Sequence, residues 1–175
     1  MSTPDPVLQI HQLSAVFGKG ENKTYAVKEL SFQVKAGQTL GIVGESGSGK
    51  SMTALSIMGL LPKAGTLESG ELVLRRGTEE IDLRRASERQ MQGIRGKSMG
   101  MIFQEPMTSL NPVHRCGDQV AEVLRLHQNL SKGDAKTLTL DWFRKVQLPR
   151  VEELYRSYPH QLSGGQKQRV MIAMA

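Results

Sequence analysis

The chain has 175 residues, 38% of them hydrophobic and 23% charged, with a formal net charge of +6. This composition is typical of a soluble globular protein with one core, and no run of 18 or more apolar residues predicts a membrane span. The N-terminus lacks the basic and apolar regions of a secretory signal, and the one cysteine, Cys116, excludes an internal disulfide, so a cytosolic location fits. The basic residues are dispersed without an aromatic platform, which favours a solvated surface over a nucleic-acid site.

The first part of the chain predicts strands followed by a helix. Apolar residues alternate along residues 7–17 and again along 31–34, as in half-buried strands. The short apolar run 39–43, bounded by glycines, predicts a buried strand. Residues 52–61 present a wide apolar helical face, and Pro62 is expected to end that helix.

The second part predicts more strands and then helices. Residues 67–83 resemble a small strand region with polar turns, and 98–103 is a further short strand candidate. Residues 117–146 carry apolar side chains at helical spacings, with a helix start of the capping-box kind at Ser131. A final helix is predicted to begin near Gly164.

A glycine-rich segment joins the predicted strand 39–43 to the helix. It fits the pattern G-x-x-x-x-G-K-[ST] and consists of Gly44, Glu45, Ser46, Gly47, Ser48, Gly49, Lys50 and Ser51. Glycines let the backbone N–H groups wrap closely around a diphosphate, and the helix N-terminus that follows favours an anion. In this pattern the lysine reaches the β- and γ-phosphates of ATP, and the hydroxyl of Ser51 can bind Mg²⁺. The alternative, a glycine-rich turn that matches by chance, should occur in under about 1% of chains of this length.

A second motif precedes the last predicted helix. It reads Leu162-Ser163-Gly164-Gly165-Gln166, and its hydroxyl and glycine N–H groups at a helix N-terminus form another anion site. The two motifs in this order resemble those of the ABC ATPases. The resemblance implies that Ser163, Gly164, Gly165 and Gln166 contact the γ-phosphate of ATP held by the other subunit.

The segment between the two motifs narrows the resemblance. Gln104 resembles the glutamine with which ABC ATPases bind Mg²⁺ and sense the γ-phosphate. The resemblance therefore implies that Gln104, like Lys50, is a catalytic residue. The long form of this segment, residues 101–112, is similar to the ATPases of oligopeptide, dipeptide, nickel and glutathione importers, as are residues 158–161. Residues 125–129 are most similar to the N-terminal half of the glutathione-importer ATPases.

The family also stacks the adenine ring on an aromatic side chain upstream of the phosphate loop. Phe17, at the end of the first predicted strand, is our candidate, and Tyr25 is the alternative. Either ring could instead serve only in packing. The four histidines have no metal-ligand spacing to one another, so they and Cys116 are predicted to be structural. These histidines are His11, His114, His127 and His160.

The resemblance also implies parts that this chain does not contain. In the family, an acidic strand ending in Asp-Glu, a short loop and a γ-phosphate histidine follow the second motif's helix, and this chain ends inside that helix. The acidic pairs 79–80 and 152–153 do not follow an apolar strand and are predicted to be solvated. We therefore expect the catalytic glutamate and the C-terminal part of the core to be missing, so that this chain folds poorly and does not hydrolyse ATP by itself.

These interpretations combine into one hypothesis. The expected fold is α/β, a P-loop NTPase core of the ABC ATPase type with an antiparallel β subdomain and a helical subdomain. The expected domains are a tail at 1–6 and a partial nucleotide-binding domain at 7–175, with the helical subdomain at about 105–162. The expected function is ATP binding for peptide or glutathione uptake at the cytoplasmic face of the membrane. The expected partners are a second ATPase subunit or half, membrane permeases and, indirectly, an extracytoplasmic solute-binding protein.

Two other functions remain open at this point. The chain could bind nucleotide or a partner without turnover, since the acidic strand is absent. It could also be an ABC ATPase that acts without a membrane partner, although the segment after Gln104 argues against this.

Overall fold

The computed structural model of the protein describes residues 5–103 and 109–175. The chain forms two compact units, residues 1–98 and residues 99–175. The first unit consists of an antiparallel sheet with two short helices, and the second consists of helices. Along the chain, two strands, a helix and two further strands precede the remaining helices, which is the predicted order of strands, helix, strands and helices.

The sheet of the first unit has four antiparallel strands in the order β2-β1-β3-β4. The strands are β1 (Pro6–Phe17), β2 (Thr24–Lys35), β3 (Gly65–Arg76) and β4 (Glu79–Asp82), with a 3₁₀ turn at Gly20–Asn22 between the first two. They confirm the strands predicted at 7–17, 31–34 and 67–83. Buried apolar side chains from the central strands, including Leu13 and Leu72, form the core of this unit.

The central strands approach each other closely at one point. Gln12 of β1 has φ 47° and Gly70 of β3 has φ 93°, next to shifts in the strand register. A Cβ placed on Gly70 would lie 2.4 Å from the carbonyl oxygen of Gln12. Only glycine fits there, because both the positive φ and the space exclude a side chain.

Two helices complete the first unit, α1 (Lys50–Ile57) and α2 (Glu88–Ile94). The prediction that α1 runs to residue 61 and stops at Pro62 is wrong. Gly59, with φ 61°, ends the helix earlier in a Schellman motif, since its N–H donates to the carbonyl of Ser56 and the N–H of Leu60 donates to that of Leu55. Gly59, three residues before Pro62, therefore ends the helix before the proline is reached.

Two predicted strands do not form. Residues 39–43 and 98–103 contain no strand, and only Met99 is an isolated bridge residue. None of the apolar side chains in these two segments is buried, and the exposure is 94% at Val43 and 48% at Ile102. An apolar run becomes a buried strand only where neighbouring strands pair with it, and among the described residues these two segments have none.

The second unit, where the structure describes it, is a cluster of helices. They are α3 (Cys116–Gln128), α4 (Lys132–Lys145), α5 (Val151–Arg156) and α6 (Gly164–Met174), with a 3₁₀ turn at Pro159–Gln161. Their buried faces share one core that includes Val120, Phe143 and Val170. The predicted helix start at Ser131 is confirmed, because its hydroxyl accepts the N–H of Asp134 at 3.2 Å.

The start of α3 is packed tightly. Cys116 is fully buried, and this burial raises the pKa of its thiol to about 11 although nearby Lys167 acts in the opposite direction. The thiol is therefore protonated at neutral pH, as suits a structural cysteine. Beside it, a Cβ on Gly117 would lie only 2.2 Å from the ring of Tyr155, so the ring of α5 lies directly on the backbone of α3.

Substitution by alanine should have opposite effects on stability at two helical glycines, only one of which makes this close contact. Gly117→Ala should destabilise the protein by about 1–3 kcal/mol, because the methyl group overlaps the ring of Tyr155. Gly93→Ala in α2 is the matched control, since nothing lies within 4 Å of its Cβ position. It should stabilise by up to about 1 kcal/mol. Denaturant unfolding of the variants measures both, and a Gly117→Ala variant as stable as the parent would contradict the packing described.

No helix within residues 5–103 and 109–175 combines the length and the apolar character needed to cross a membrane.

Candidate functional site

The glycine-rich segment 44–51 forms a tight loop that leads into α1. Gly47 and Gly49 have φ 85° and 89°, a region that side chains disfavour. The N–H of Ser48 donates to the carbonyl of Glu45 at 3.2 Å and closes a turn within the loop. The two glycines thus fold the backbone back before the helix begins.

Close approaches fix the loop at both ends. A Cβ on Gly44 would lie 2.6 Å from the hydroxyl oxygen of Ser48. A Cβ on Gly49 would lie 2.4 Å from the carbonyl oxygen of Ala26 in β2, so the end of the loop rests on that strand. Gly47 has free space around it, and its positive φ alone requires glycine.

Lys50 is half-buried and turns back into the loop. Its Nζ donates to the carbonyl oxygens of Gly44 and Glu45 at 2.7 Å each, and to the hydroxyl of Ser48 at 3.3 Å. The ammonium group is therefore held inside the curve of the loop by oxygen atoms of the loop itself. An anion entering this curve would meet a positive charge that is already in position.

The N-terminus of α1 supplies further donors. Its N-cap is Gly49, which provides no side-chain cap. The N–H groups of the first turn have no partner within a helix, so with the helix dipole they favour an anion. The hydroxyl of Ser51 is exposed on this turn, and hydroxyl oxygen suits a hard cation such as Mg²⁺. The residues present therefore fit a nucleotide phosphate with its magnesium ion.

The second motif forms the N-terminus of α6. Ser163 is the N-cap, and its hydroxyl accepts the N–H of Gln166 at 3.3 Å while Gln166 Oε1 accepts the N–H of Ser163 at 2.9 Å. This is a capping box, which sequence analysis missed although the spacing Ser-x-x-Gln is its known pattern. Gly164 and Gly165 are exposed with open space around them. The motif thus presents the exposed residue Ser163 followed by two exposed glycines that have no side chain to cover the backbone.

The structure does not unite all predicted site residues. The loop 44–51 belongs to the first unit and the motif 162–166 to the second. Gln104 lies outside the described residues.

The two aromatic candidates differ in their surroundings. Phe17 is half-buried, and its ring lies 3.0 Å from the Cβ position of Gly65, so one side of the ring is packed against β3. Tyr25 is 45% exposed, with the Nζ atoms of Lys23 and Lys28 at 5.5 and 5.6 Å from its ring centre. Tyr25 also directly precedes Ala26, the residue on which Gly49 rests.

The acidic pairs predicted to be solvated are at the surface. Glu79 and Glu80 are paired with Arg76 and Arg75, and Glu153 is paired with Arg150. In the parts of the chain that the structure covers, no three histidine, cysteine or acidic side chains cluster as metal ligands.

Comparison with known proteins identifies the family. The model of the ABC transporter family matches residues 27–175, which include both motifs and the segment between them. The chain belongs to the ABC transporter family. This confirms the resemblance drawn from the two motifs.

Curated relatives of this ABC transporter chain include the glutathione import ATP-binding protein GsiA of Escherichia coli K12 and of Escherichia coli O1:K1. Each is 50% identical over 171 residues, which cover 97% of this chain. The chain spans 27% of the length of these relatives.

A solved structure shares the fold. The dimeric ATP-binding cassette MJ0796, in a post-hydrolysis state bound to ADP and Pi, is 26% identical with a TM-score of 0.82. The match covers 95% of this chain and 68% of the cassette. The predicted α/β fold of the ABC ATPase type is therefore confirmed.

The loop geometry predicts that alanine is tolerated better at Gly47 than at Gly49, the two glycines with left-handed conformations. An alanine at Gly47 or Gly49 costs roughly 1–2 kcal/mol for its positive φ. Gly49→Ala should cost a further 1–3 kcal/mol or so, because its methyl group overlaps the carbonyl of Ala26. Unfolding free energies of the two variants test this, and equal losses would show that the contact with β2 is not as described.

Proposed function

We propose that this chain is a nucleotide-binding part of an ABC importer ATPase and that it binds Mg-ATP at residues 44–51. The observation that carries the proposal is the Lys50 ammonium, held at 2.7 Å by two carbonyl oxygens of the loop at the open N-terminus of α1. A charge held in this way is prepared for phosphate, since little side-chain freedom remains to be lost on binding.

Each residue of the loop has a proposed part in binding. The backbone N–H groups of the loop and of the first turn of α1 surround the β-phosphate, and Lys50 contacts the β- and γ-phosphates. Ser51 holds Mg²⁺ through its hydroxyl, with Gln104 as a predicted further ligand. When bound there, the cation would supply positive charge that offsets the negative charge of the phosphates.

The motif at α6 has its proposed part in a second site. Ser163, Gly164 and Gly165 contact the γ-phosphate of ATP bound to another ATPase subunit or half. The capping box supports this proposal, because Gln166 fixes the serine at the helix start and leaves its hydroxyl hydrogen free to donate. In this arrangement Gln166 orients Ser163 and the backbone N–H groups of the glycines face the ligand.

The transported solute and the partners are proposed from the relatives. Proteins that are 50% identical over almost this whole chain are named for glutathione import. We propose uptake of glutathione or peptides, with membrane permeases as partners, a solute-binding protein outside the membrane and a position at the cytoplasmic face. The same relatives disfavour an ABC ATPase that acts without a membrane partner.

Nucleotide binding without turnover is the second candidate. The observation that favours it is the surface position of the acidic pairs 79–80 and 152–153, with Glu79, Glu80 and Glu153 in ion pairs with arginines rather than placed for catalysis. Steady hydrolysis of ATP by the purified chain, lost in a Lys50→Ala variant, would exclude this candidate.

The lysine of the loop provides the test of nucleotide binding. Lys50→Ala should weaken Mg-ATP binding by roughly 10- to 150-fold, because a charge-assisted hydrogen bond contributes about 1.5–3 kcal/mol. Lys132→Ala removes the same charge at the start of α4 and should leave the affinity unchanged. Calorimetric titration measures both. Equal affinities of the parent and Lys50→Ala would refute the proposed site.

The adenine platform can be tested separately from the phosphate site. Phe17→Ala should weaken binding of Mg-ATP by roughly 5- to 150-fold, since stacking contributes about 1–3 kcal/mol per base, whereas Phe17→Tyr should bind normally. Tyr25→Ala is the control at the alternative position. A loss in Tyr25→Ala with none in Phe17→Ala would assign the stacking to Tyr25.

A further inference from the structure

The C-terminal end of α1 is held by one arginine. Arg95 Nε donates to the carbonyl of Met58 at 2.8 Å, and a terminal nitrogen donates to the carbonyl of Gly59 at 2.9 Å. The other terminal nitrogen forms an ion pair with Glu88 at 2.7 Å. All three nitrogens of the guanidinium group are thus engaged, and the side chain is only 19% exposed.

These two carbonyls are groups that the helix cannot satisfy itself. The Schellman motif at Gly59 uses the carbonyls of Leu55 and Ser56, and those of Met58 and Gly59 lie beyond it. The carbonyl of Met58, the C-cap residue, is at the negative end of the helix dipole, where a cation is favourable, and that of Gly59 lies just beyond this end. The planar fork of arginine reaches both at once, which a lysine ammonium on its single stem is less suited to do.

The arginine is itself held in place from α2. It is the C-cap of that helix, and its N–H donates to the carbonyl of Met91. Met91 and Ile94 are buried, and a capping box at Ser87 fixes the other end of the helix. Gly59 lets the guanidinium group approach, because a Cβ there would lie 3.0 Å from Arg95 and 3.3 Å from Met91.

The length of α1 connects this contact to the phosphate loop. The helix has eight residues, or about 12 Å, which is too short to bend appreciably along its length. Its N-terminal end rests on β2 through Gly49, and its C-terminal end is held by Arg95. A shift at one end therefore moves the first-turn N–H groups and Lys50 at the other.

We propose that Arg95 is a positioning residue of the nucleotide site: it holds the C-terminal end of α1 so that the loop and first turn keep the geometry that phosphate binding needs. This inference rests on the proposed binding of Mg-ATP at residues 44–51. It assigns no contact between Arg95 and the nucleotide.

The test compares Mg-ATP affinities of the full chain and its variants by calorimetric titration at a temperature where each is folded. Arg95→Ala should weaken binding by roughly 5- to 30-fold, the factor expected for the loss of one or two kcal/mol. Arg95→Lys should recover only part of the affinity, since it restores the charge without the fork. Glu88→Gln removes the ion pair, keeps both carbonyl contacts, and should bind as the parent does.

Two controls separate positioning from general stability and from the proposed function. Gly117→Ala, which we expect to destabilise the helical unit, should bind Mg-ATP normally, so an equal loss in this variant would overturn the inference. Affinity within twofold of the parent in Arg95→Ala, alongside a loss in Lys50→Ala, would overturn the inference alone. Normal binding by Lys50→Ala would overturn the proposed function, and with it the inference.

Discussion

The conformation of the loop 44–51 depends on how the positive charge of Lys50 is stabilised at an open helix N-terminus. Lys50 is the first residue of α1, and the dipole of a helix is positive at its N-terminus, so the ammonium group needs oxygen atoms to stabilise it. The carbonyls of Gly44 and Glu45 provide those oxygens, and the loop can present them because Gly47 and Gly49 take left-handed conformations. The two glycines therefore have two roles: they position the carbonyls that bind Lys50, and they leave space for a phosphate group.

The two helix N-termini with glycine-rich motifs are built differently. The start of α1 has a glycine N-cap and no side-chain cap, so its donors are left for a ligand. The start of α6 has a complete capping box between Ser163 and Gln166. The first is suited to enclose a phosphate group, and the second presents a fixed serine at an exposed surface. This difference agrees with the proposal that one motif holds ATP and the other completes the site of a second subunit or half.

The sequence predicted the local features well because they have local causes. Alternation of apolar residues at 7–17 and 31–34 predicted β1 and the end of β2, and a serine followed three residues later by a polar side chain predicted the start of α4. The segments 39–43 and 98–103 were mispredicted because burial of a strand depends on its neighbours, which a single sequence does not show. Arg95 was also missed, since its partners Met58 and Gly59 lie 37 and 36 residues away and contribute only backbone carbonyls.

Backbone amide chemical shifts of the chain during titration with Mg-ATP test the central claim most directly. The account predicts that the largest changes fall within residues 44–51, with the N–H signals of Gly47, Gly49 and Lys50 moving as they form hydrogen bonds to phosphate. Large changes elsewhere in the chain with none in this loop would contradict it.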